Sequence, residues 1–198
     1  MDVAPGPVGR RERKKAATRA HIADTALTLF LERGYENVTV RDVAAAADVS
    51  PTTLLNHFPT KEALVVDLGD EIAAELRRAV VDRDPGTGIL DALRGYARGR
   101  VDRAAAASDP DSKRFIALVL ENRDLSEYWH RTWMGHEHVL ATVIRDETGA
   151  MDDDLRPAVT AHFVLEAIAF AIRSADPGRA LDAAFEVIVN GASIADPA

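Results

Sequence analysis

Residues 26–64 read ALTLFLERGYENVTVRDVAAAADVSPTTLLNHFPTKEAL, and this stretch decides the fold. Within it and just before it, apolar residues recur at spacings of three and four, the period of an amphipathic helix. We predict a first helix that starts with Thr18 as its cap and ends at Gly34, where a glycine takes a positive φ without strain. The apolar stripe of this helix is formed by Ile22, Ala26, Leu29 and Phe30.

Two shorter helices follow in the same stretch. Thr39, with an acidic residue three positions later, predicts a capping box at the start of the second helix. Ser50 followed by Pro51 predicts the cap and first position of the third helix, which Phe58 and Pro59 end. The second and third helices are thus joined by a turn of only a few residues. These are the dimensions of a helix-turn-helix.

The remainder of the chain also has a helical pattern. Thr60 and a continuous apolar stripe predict a long fourth helix over residues 61–83. The stripe consists of Leu64, Leu68, Ile72, Leu76 and Val80. Breaks that divide the rest into about five more helices lie at residues 84–86, 109–110, 124, 149 and 176–178. No segment alternates as a strand does, so we predict an all-α protein of about nine helices.

Composition limits the class of protein. A chain of 198 residues, 47% of them hydrophobic, can form a small DNA-reading module and one larger domain, or one domain with a single core. The chain has no cysteine, which excludes disulfides, thiolate zinc sites and cysteine nucleophiles. No segment approaches the roughly 20 apolar residues of a membrane span. We therefore expect a soluble cytoplasmic protein without membrane contact.

Charge is distributed unevenly along the chain. The net charge is −8, yet residues 10–19 contain six basic residues and one acidic residue. A basic N-terminal segment on an acidic body is typical of a protein that binds DNA at one end. The alternative interpretation is a solvated charged tail.

Several runs of residues resemble the N-terminal signature of the TetR family of regulators. These runs are 26–35, 39–44, 49–50, 53–54 and 58–64. The resemblance covers about residues 10–65, and the rest of the chain is similar to the family only in helix number and length. It implies nine or ten helices, an N-terminal DNA-binding domain, a homodimer built mainly on the last two long helices, and release from double-stranded operator DNA when a small molecule binds.

Two departures from the family pattern affect the DNA-binding segment. Asp48 stands where the turn usually has glycine, and Asp enters the left-handed region more readily than most residues. Thr52-Thr53-Leu54-Leu55 stands where the family frequently has Gly-Thr-Leu-Tyr, so the usual tyrosine hydroxyl is absent. We expect Leu55 to pack on a sugar or a thymine methyl instead.

The candidate DNA contacts lie around the predicted third helix. Asn56 has the two groups that pair with adenine, and Arg41 is a candidate for guanine or phosphate. We expect DNA contacts from Arg19, Thr39, Arg41, Thr52, Thr53, Leu55, Asn56, His57 and Lys61. Leu54 and Phe58 lie on the opposite face and are expected in the core. The alternatives are an exposed helix end for Asn56 and His57, and a solvated charge for Lys61.

The later part of the chain contains a candidate effector pocket. Aromatic and polar residues share faces of two predicted helices, one long helix spanning residues 129–140 and the next one along the chain. The residues expected to line a largely apolar pocket are Phe115, Trp129, Trp133, His136, Phe163, Glu166 and Phe170. The alternative is a plain core, the commoner role of aromatics at helical spacing.

The last two long helices have Ala-rich apolar faces that predict a four-helix dimer interface. The residues expected there are Leu165, Ile168, Ile172, Leu181, Phe185 and Ile188. We divide the chain into a flexible basic arm, a helix-turn-helix domain, and a sensing and dimerisation domain, at residues 1–17, 18–60 and 61–198.

Two other functions compete with that of a ligand-responsive repressor. One is a small helical enzyme or carrier that uses the cavity, and the other is an architectural DNA binder without an effector. The sequence has no nucleophile–base pair, no metal-ligand spacing and no phosphate loop, so we expect no catalysis, no cofactor and no metal. His136 and His138, for example, point about 200° apart on a helix.

Overall fold

The computed structural model describes residues 9–66, 70–106 and 110–191. Within these ranges the chain forms ten α-helices and two short 3₁₀ turns with no strand, so the all-α prediction is confirmed. The helices are α1 Arg10–Arg33, α2 Val40–Ala46, α3 Pro51–His57, α4 Asp70–Val81, α5 Ile89–Ala106, α6 Pro110–Glu121, α7 Arg123–Met134, α8 Glu137–Thr148, α9 Arg156–Ile172 and α10 Pro177–Asn190. The 3₁₀ turns are Tyr35–Asn37 and Glu62–Leu64.

Contacts within the chain divide it into two compact units. The first consists of Met1–Asp67 with Pro110–Leu125, and the second of Leu68–Asp109 with Ser126–Ala198. Helix α6 packs against α1 in the first unit, although the sequence grouped everything after residue 60 together. These compact units follow boundaries different from the predicted functional ones, and the division at residues 17 and 60 stays a prediction about function.

The first unit has an apolar core between α1, α2 and α3. Its buried side chains include Ile22, Ala26, Phe30, Val43, Leu54 and Phe58. Leu54 and Phe58 are fully buried, so their assignment to the core is confirmed. Helix α6 is held to the same unit by Asn122, whose Nδ2 donates to Glu36 Oε1 at 2.7 Å.

The second unit has a larger core. Helix α8 packs on α4 and α9, and α10 packs on α9 and α5. Fully buried side chains include Leu76, Leu93, Trp133, Leu140, Leu165, Ile168 and Phe185. Burial of an apolar side chain of this size contributes roughly 1.5–3 kcal/mol, so this core stabilises the packing of α4, α5, α8, α9 and α10.

The first helix starts earlier than predicted. It begins at Arg10, so Thr18 lies inside α1 and does not cap it. The run from Arg10 to Arg33 contains no glycine or proline and is rich in Ala, Arg and Lys, which favour helix over cap or coil. The predicted arm is therefore helical from Arg10 to residue 17, and its first eight residues lie outside the described part of the chain.

The predicted fourth helix over residues 61–83 is also wrong at its start. A 3₁₀ turn covers Glu62–Leu64, and regular helix begins only at Asp70 in the described residues. Residues 63–66 are four consecutive apolar residues, and all four are buried. Successive residues of an α-helix point about 100° apart, so a regular helix cannot bury four in a row on one face. Leu68 lies outside the described residues.

A break that the sequence analysis missed accounts for the tenth helix. Helix α7 ends at Met134 and α8 begins at Glu137, so the residues from 129 to 140 do not form one long helix. Gly135 is the residue at the break, and glycine in a helix interior costs about 1 kcal/mol relative to alanine. The backbone N–H of His136 then donates to Trp133 O at 3.2 Å and closes the turn.

Other predicted boundaries are confirmed. Gly149 has a φ of 63° and ends α8. Asp176 caps α10, because its Oδ1 accepts from the backbone N–H of Arg179 at 3.0 Å. Asp109, part of another predicted break, lies outside the described residues. No helix within the described ranges is long and apolar enough to cross a membrane.

Candidate nucleic-acid interface

The second helix starts with the predicted capping box. The backbone N–H of Asp42 donates to Thr39 Oγ1 at 3.2 Å, and the backbone N–H of Thr39 donates to Asp42 Oδ2 at 2.8 Å. The hydroxyl of Thr39 and then its backbone N–H hold the pKa of the Asp42 carboxyl below its usual value. Arg41 is exposed in the first turn of α2, at the candidate DNA surface.

The turn between α2 and α3 takes the conformation expected of Asp48. This residue has a φ of 51°, and among the described residues other than glycine it alone has a positive φ. The backbone N–H of Val49 donates to Ala44 O at 3.0 Å across the turn. Asp tolerates this left-handed geometry better than most residues, which explains how the turn forms without glycine.

Helix α3 is fixed at its start by Ser50. Ser50 Oγ accepts from the backbone N–H of Thr53 at 3.0 Å and lies 2.8 Å from the Thr53 hydroxyl. Pro51 occupies the first helical position as predicted. The Thr53 hydroxyl is therefore partly used inside the cap. Of the predicted contact residues on α3, Thr52, Leu55 and Asn56 are exposed, Leu55 to 45%.

The end of α3 is held by Arg19 of α1. An Arg19 guanidinium N–H donates to the backbone carbonyl of His57, and the guanidinium carbon lies 4.2 Å from the Phe58 ring centroid. This is a cation–π contact combined with a bond to the helix C-terminus. Arg19 thus positions the predicted recognition helix, a role that its place in a basic run did not indicate. A phosphate contact by Arg19 or His57 stays a prediction.

Lys61 packs against an aromatic residue that the sequence analysis did not single out as part of the site. Lys61 Nζ lies 3.9 Å from the ring centroid of Tyr35. The Tyr35 hydroxyl donates to Glu62 Oε1 at 3.1 Å. Burial first, and then the Glu62 carboxylate, raise the pKa of Tyr35, so its hydroxyl stays a donor at neutral pH. The Lys61 ammonium is held near the start of the 3₁₀ turn, where a phosphate contact remains a prediction.

The seven residues predicted to line an effector pocket are not all brought together, although three of them pack against one another. Trp133 is fully buried, and its Nε1 donates to Leu165 O at 2.9 Å. Trp129 stacks on Trp133 with ring centroids 6.1 Å apart, and His136 is buried beside them. These three residues form packed core, which is the alternative that the sequence left open.

The other predicted pocket residues lie elsewhere. Phe163 and Phe170 of α9 are each 54% exposed, so they do not face the tryptophans across a cavity. Glu166 lies between them along α9, and its Oε1 is 2.8 Å from Nε2 of His130. Phe115 belongs to the first compact unit, whereas the rest belong to the second.

Most residues predicted at the dimer interface are buried within the chain itself. Leu165, Ile168, Leu181 and Phe185 are at most 1% exposed, so a partner subunit cannot reach them. Ile172 and Ile188 are half-buried. The periodicity identified an apolar face of each helix, but that face packs on the chain's own core. Five other apolar residues of α9 and α10 are about half exposed to solvent. They are Val159, Phe163, Phe170, Val187 and Val189.

Comparison with known families identifies the N-terminal segment. The family model described as "Bacterial regulatory proteins, tetR family" matches residues 22–68. This match covers the end of α1, the turn at Asp48, both short helices and the Lys61 segment.

Two curated relatives extend the similarity along the chain. The HTH-type transcriptional regulator TcmR of Streptomyces glaucescens is 35% identical over 161 residues, which is 77% of this chain and 70% of TcmR. The HTH-type transcriptional repressor KstR2 of Rhodococcus jostii is 28% identical, over 83% of this chain and 82% of KstR2. The similarity therefore reaches well beyond the helix-turn-helix.

Solved structures share the fold. The TetR-family repressor FadR of Thermus thermophilus, in complex with lauroyl-CoA, superposes with a TM-score of 0.58 at 22% identity, covering 90% of this chain and 97% of FadR. SmeT, the repressor of a Stenotrophomonas maltophilia multidrug efflux pump, gives a TM-score of 0.54 at 18% identity, covering 88% and 90%. At these identities the likeness concerns the fold alone.

Proposed function

Because the chain belongs to the TetR family of bacterial regulatory proteins and is a DNA-binding transcriptional regulator, we propose that it acts as a repressor that leaves its operator when a small molecule binds. The observation that carries this proposal is the capped pair α2 and α3, joined by the Asp48 turn, with an exposed polar face on α3. Several relatives are named as repressors, KstR2 among them. The place of action is the cytoplasm, where operator DNA lies.

Recognition of the operator base sequence is assigned to the exposed face of α3. Asn56 pairs with adenine N6 and N7, a bidentate contact worth roughly 1–3 kcal/mol of discrimination. Thr52 and Leu55 contact neighbouring bases or sugars, and Arg41 adds a guanine or phosphate contact from α2. The exposure of these side chains, with Leu54 buried behind them, supports this assignment.

Binding to the phosphate backbone of the DNA is assigned to the basic side of α1 and to Lys61. Arg11, Lys15 and Arg19 are spaced four apart, so they share one face of α1. Arg19 donates a hydrogen bond to the last residue of α3, so this face of α1 lies next to the recognition helix at Arg19. Lys15 and Arg11 lie one and two turns further along α1. Arg11 and Lys15 are exposed and reach phosphates there.

We assign dimerisation to the exposed apolar surface of α9. The exposed side chains are Leu155, just before the helix, and Val159, Phe163 and Phe170 within it, at spacings of four, four and seven. A row of large exposed apolar side chains on a stable domain is typical of an interaction site, here interrupted by Glu166, and a reader of two half-sites needs two-fold symmetry. A second copy of the chain is therefore the occupant we assign to it. Val187 of α10, the helix packed on α9, is also exposed.

Induction requires that an effector binds the free and DNA-bound states differently. A coupling free energy of about 1–3 kcal/mol is enough to change operator occupancy five- to 150-fold. FadR was solved with lauroyl-CoA and SmeT with triclosan, which shows that proteins of this fold accept small molecules. Trp129, Trp133 and His136 pack together in this structure, and the position of the effector site stays a prediction.

Fluorescence anisotropy with a labelled duplex from the DNA flanking the chain's own gene tests the proposal. We expect tight binding that an unlabelled copy of the same duplex displaces at least about tenfold more effectively than a scrambled duplex. Arg41→Ala should weaken binding, whereas Arg77→Ala, an exposed arginine of α4, serves as the control. Equal displacement by both duplexes would support an architectural DNA binder instead. Absence of DNA binding would favour a carrier or an enzyme.

A further inference from the structure

A polar groove lies between α4 and α5 in the second compact unit. Its volume is about 430 Å³. The lining residues are Glu75, Arg78 and Ala79 of α4, with Ala92, Tyr96 and Arg103 of α5. The two alanines have small side chains, which leaves space between the helices. Charged or hydrogen-bonding side chains surround this space. This composition differs from that of the packed aromatic core nearby.

The one acidic residue of the groove lining is already neutralised by its neighbours. Glu75 Oε2 accepts a hydrogen bond from the Tyr96 hydroxyl at 3.2 Å and forms an ion pair with Arg100 Nη1 at 3.1 Å. Burial raises the pKa of Tyr96 to about 12, so this hydroxyl remains protonated. The Arg100 guanidinium also lies 5.3 Å from the Trp133 ring centroid, which anchors the network to the core.

Two arginines of the groove lining have no such partner. Within residues 9–66, 70–106 and 110–191, neither Arg78 nor Arg103 forms an ion pair or a side-chain hydrogen bond. They come from different helices and line the same groove. Because Glu75 is paired with Arg100, the groove lining presents two arginines that have no ion-pair partner among the described residues.

A glycine of α5 lies beside one of these guanidiniums. A Cβ built on Gly99 would lie 3.4 Å from Arg103 Nη1, so the guanidinium lies back against the side-chain-free surface of the helix. Glycine inside a helix costs about 1 kcal/mol relative to alanine. Arg103 remains exposed to solvent, and the bare surface at Gly99 lets its guanidinium lie along α5.

We propose that the groove between α4 and α5 binds a small organic anion, whose carboxylate or phosphate group is held by Arg78 and Arg103. Guanidinium groups match the geometry of both anions through paired N–H donors. The alanines and the Tyr96 ring contact the uncharged part of the anion. This inference rests on the proposed function only in naming the anion as the effector, and it replaces the largely apolar effector that the aromatic residues had indicated.

Calorimetric titration of the full chain without DNA tests the site. The probes are phenyl phosphate, benzoate and benzyl alcohol, which share a ring and differ in the polar group. We expect saturable binding of at least one anion and at least about tenfold weaker binding of benzyl alcohol, the ratio typical of a charge-assisted hydrogen bond. The tighter of the two anions identifies phosphate or carboxylate as the preferred group. Equal binding of all three probes, or no binding, overturns the inference.

Charge-matched variants locate the site. Arg78→Gln and Arg103→Gln should each weaken binding of the anion about tenfold. Arg77→Gln removes the same charge from the neighbouring exposed position of α4, about 100° around the helix, and should leave binding unchanged. Equal losses in all three variants would indicate general electrostatic attraction and would overturn the site. Because these arginines are on the surface and unpaired, the variants should fold normally.

A groove-filling variant supplies an independent check. Ala92→Leu keeps every charge but places a larger side chain in the groove, and we expect it to weaken anion binding as strongly as Arg103→Gln does. Unchanged binding would contradict the site. Failure of the proposed function can be told apart from failure of this site. The first would appear as absent operator binding in the anisotropy assay, and the calorimetry, which contains no DNA, tests the second.

Discussion

Helices α3 and α9 both present side chains to solvent, but the chemistry of the two surfaces is opposite. The exposed residues of α3 include Thr52, Leu55 and Asn56, and those of α9 include Val159, Phe163 and Phe170. The first surface is mainly polar and is positioned by caps and by Arg19, whereas the second is apolar and lies on a fully packed core. A polar surface next to basic residues gains binding energy from charge, which salt screens. An apolar surface gains it by leaving water.

Salt should separate these surfaces most strongly. If about six phosphates are neutralised, operator affinity falls roughly 10³-fold between about 50 and 200 mM salt. Dissociation of the dimer should change little over this range, because apolar burial is not screened. Anisotropy measures the first and sedimentation velocity the second. A flat salt dependence of DNA binding would remove the phosphate contacts assigned to α1 and Lys61.

Substitutions that introduce acidic residues on α9 should have the next largest effect on operator affinity. The double substitution Phe163→Glu and Phe170→Glu places like charges on a surface assigned to self-association, and should give monomers by sedimentation. Operator affinity should fall about 100-fold, since each monomer reads one half-site without the avidity of two. Val81→Glu, which changes an exposed apolar residue of α4, is the matched control. A double variant that remains a dimer would contradict the assignment.

Substitutions on the DNA side should divide into two kinds. Asn56→Ala should lower affinity for the operator roughly tenfold and relax the preference at one base pair. Lys61→Ala should weaken binding evenly across sequences and reduce the salt slope by about one. Competition with operator duplexes that differ at single positions measures both. If both variants lose discrimination equally, the division between reading and backbone contact is wrong.

A smaller effect is expected in the turn between α2 and α3. Asp48 has a φ of 51°, so Asp48→Ala should lower the free energy of unfolding by about 1 kcal/mol, because alanine pays the left-handed cost without a short polar side chain. Asp48→Gly should be close to neutral, since glycine takes this conformation freely. Urea unfolding of both variants provides the measurement. Equal stability of the two would show that the turn relaxes.

The smallest expected effect is on stability at low pH. Because its pKa is lowered in the folded protein, the Asp42 carboxylate stabilises the start of α2 above its unfolded pKa of about 3.9, and this contribution is lost as the pH falls through the lower folded value. The difference in Tm between the wild type and Asp42→Asn should therefore be present near neutral pH and disappear in strong acid. Circular dichroism at a series of pH values follows it. A constant difference would mean that charge is not involved.

Features that depend on nearby residues could be predicted from the sequence. The capping box at Thr39, the Ser50 cap, the left-handed Asp48 and the buried Leu54 each follow from a pattern within a few residues. The start of α1 could not be predicted as well, because a cap-forming residue such as Thr18 is also tolerated inside a helix.

Features that depend on distant contacts were missed. Arg19 and His57 are 38 positions apart, and no local pattern indicates their bond. Helix α9 is apolar on two sides, and only the positions of α8 and α10 decide that Leu165 faces inward while Phe163 faces solvent. The periodicity therefore identified an apolar face of each helix, but that face packs inside the chain, and the place of the dimer interface stays a prediction.

The bond between Arg19 and the carbonyl of His57 has a consequence for how such a protein can change its target. A backbone carbonyl is present whatever residue occupies position 57, so the bond itself survives substitution of that side chain. The exposed positions of α3 can therefore vary through evolution, or be randomised in a library, while the attachment of the helix to α1 persists. New operator preferences then become accessible by single substitutions without rebuilding the scaffold beneath them.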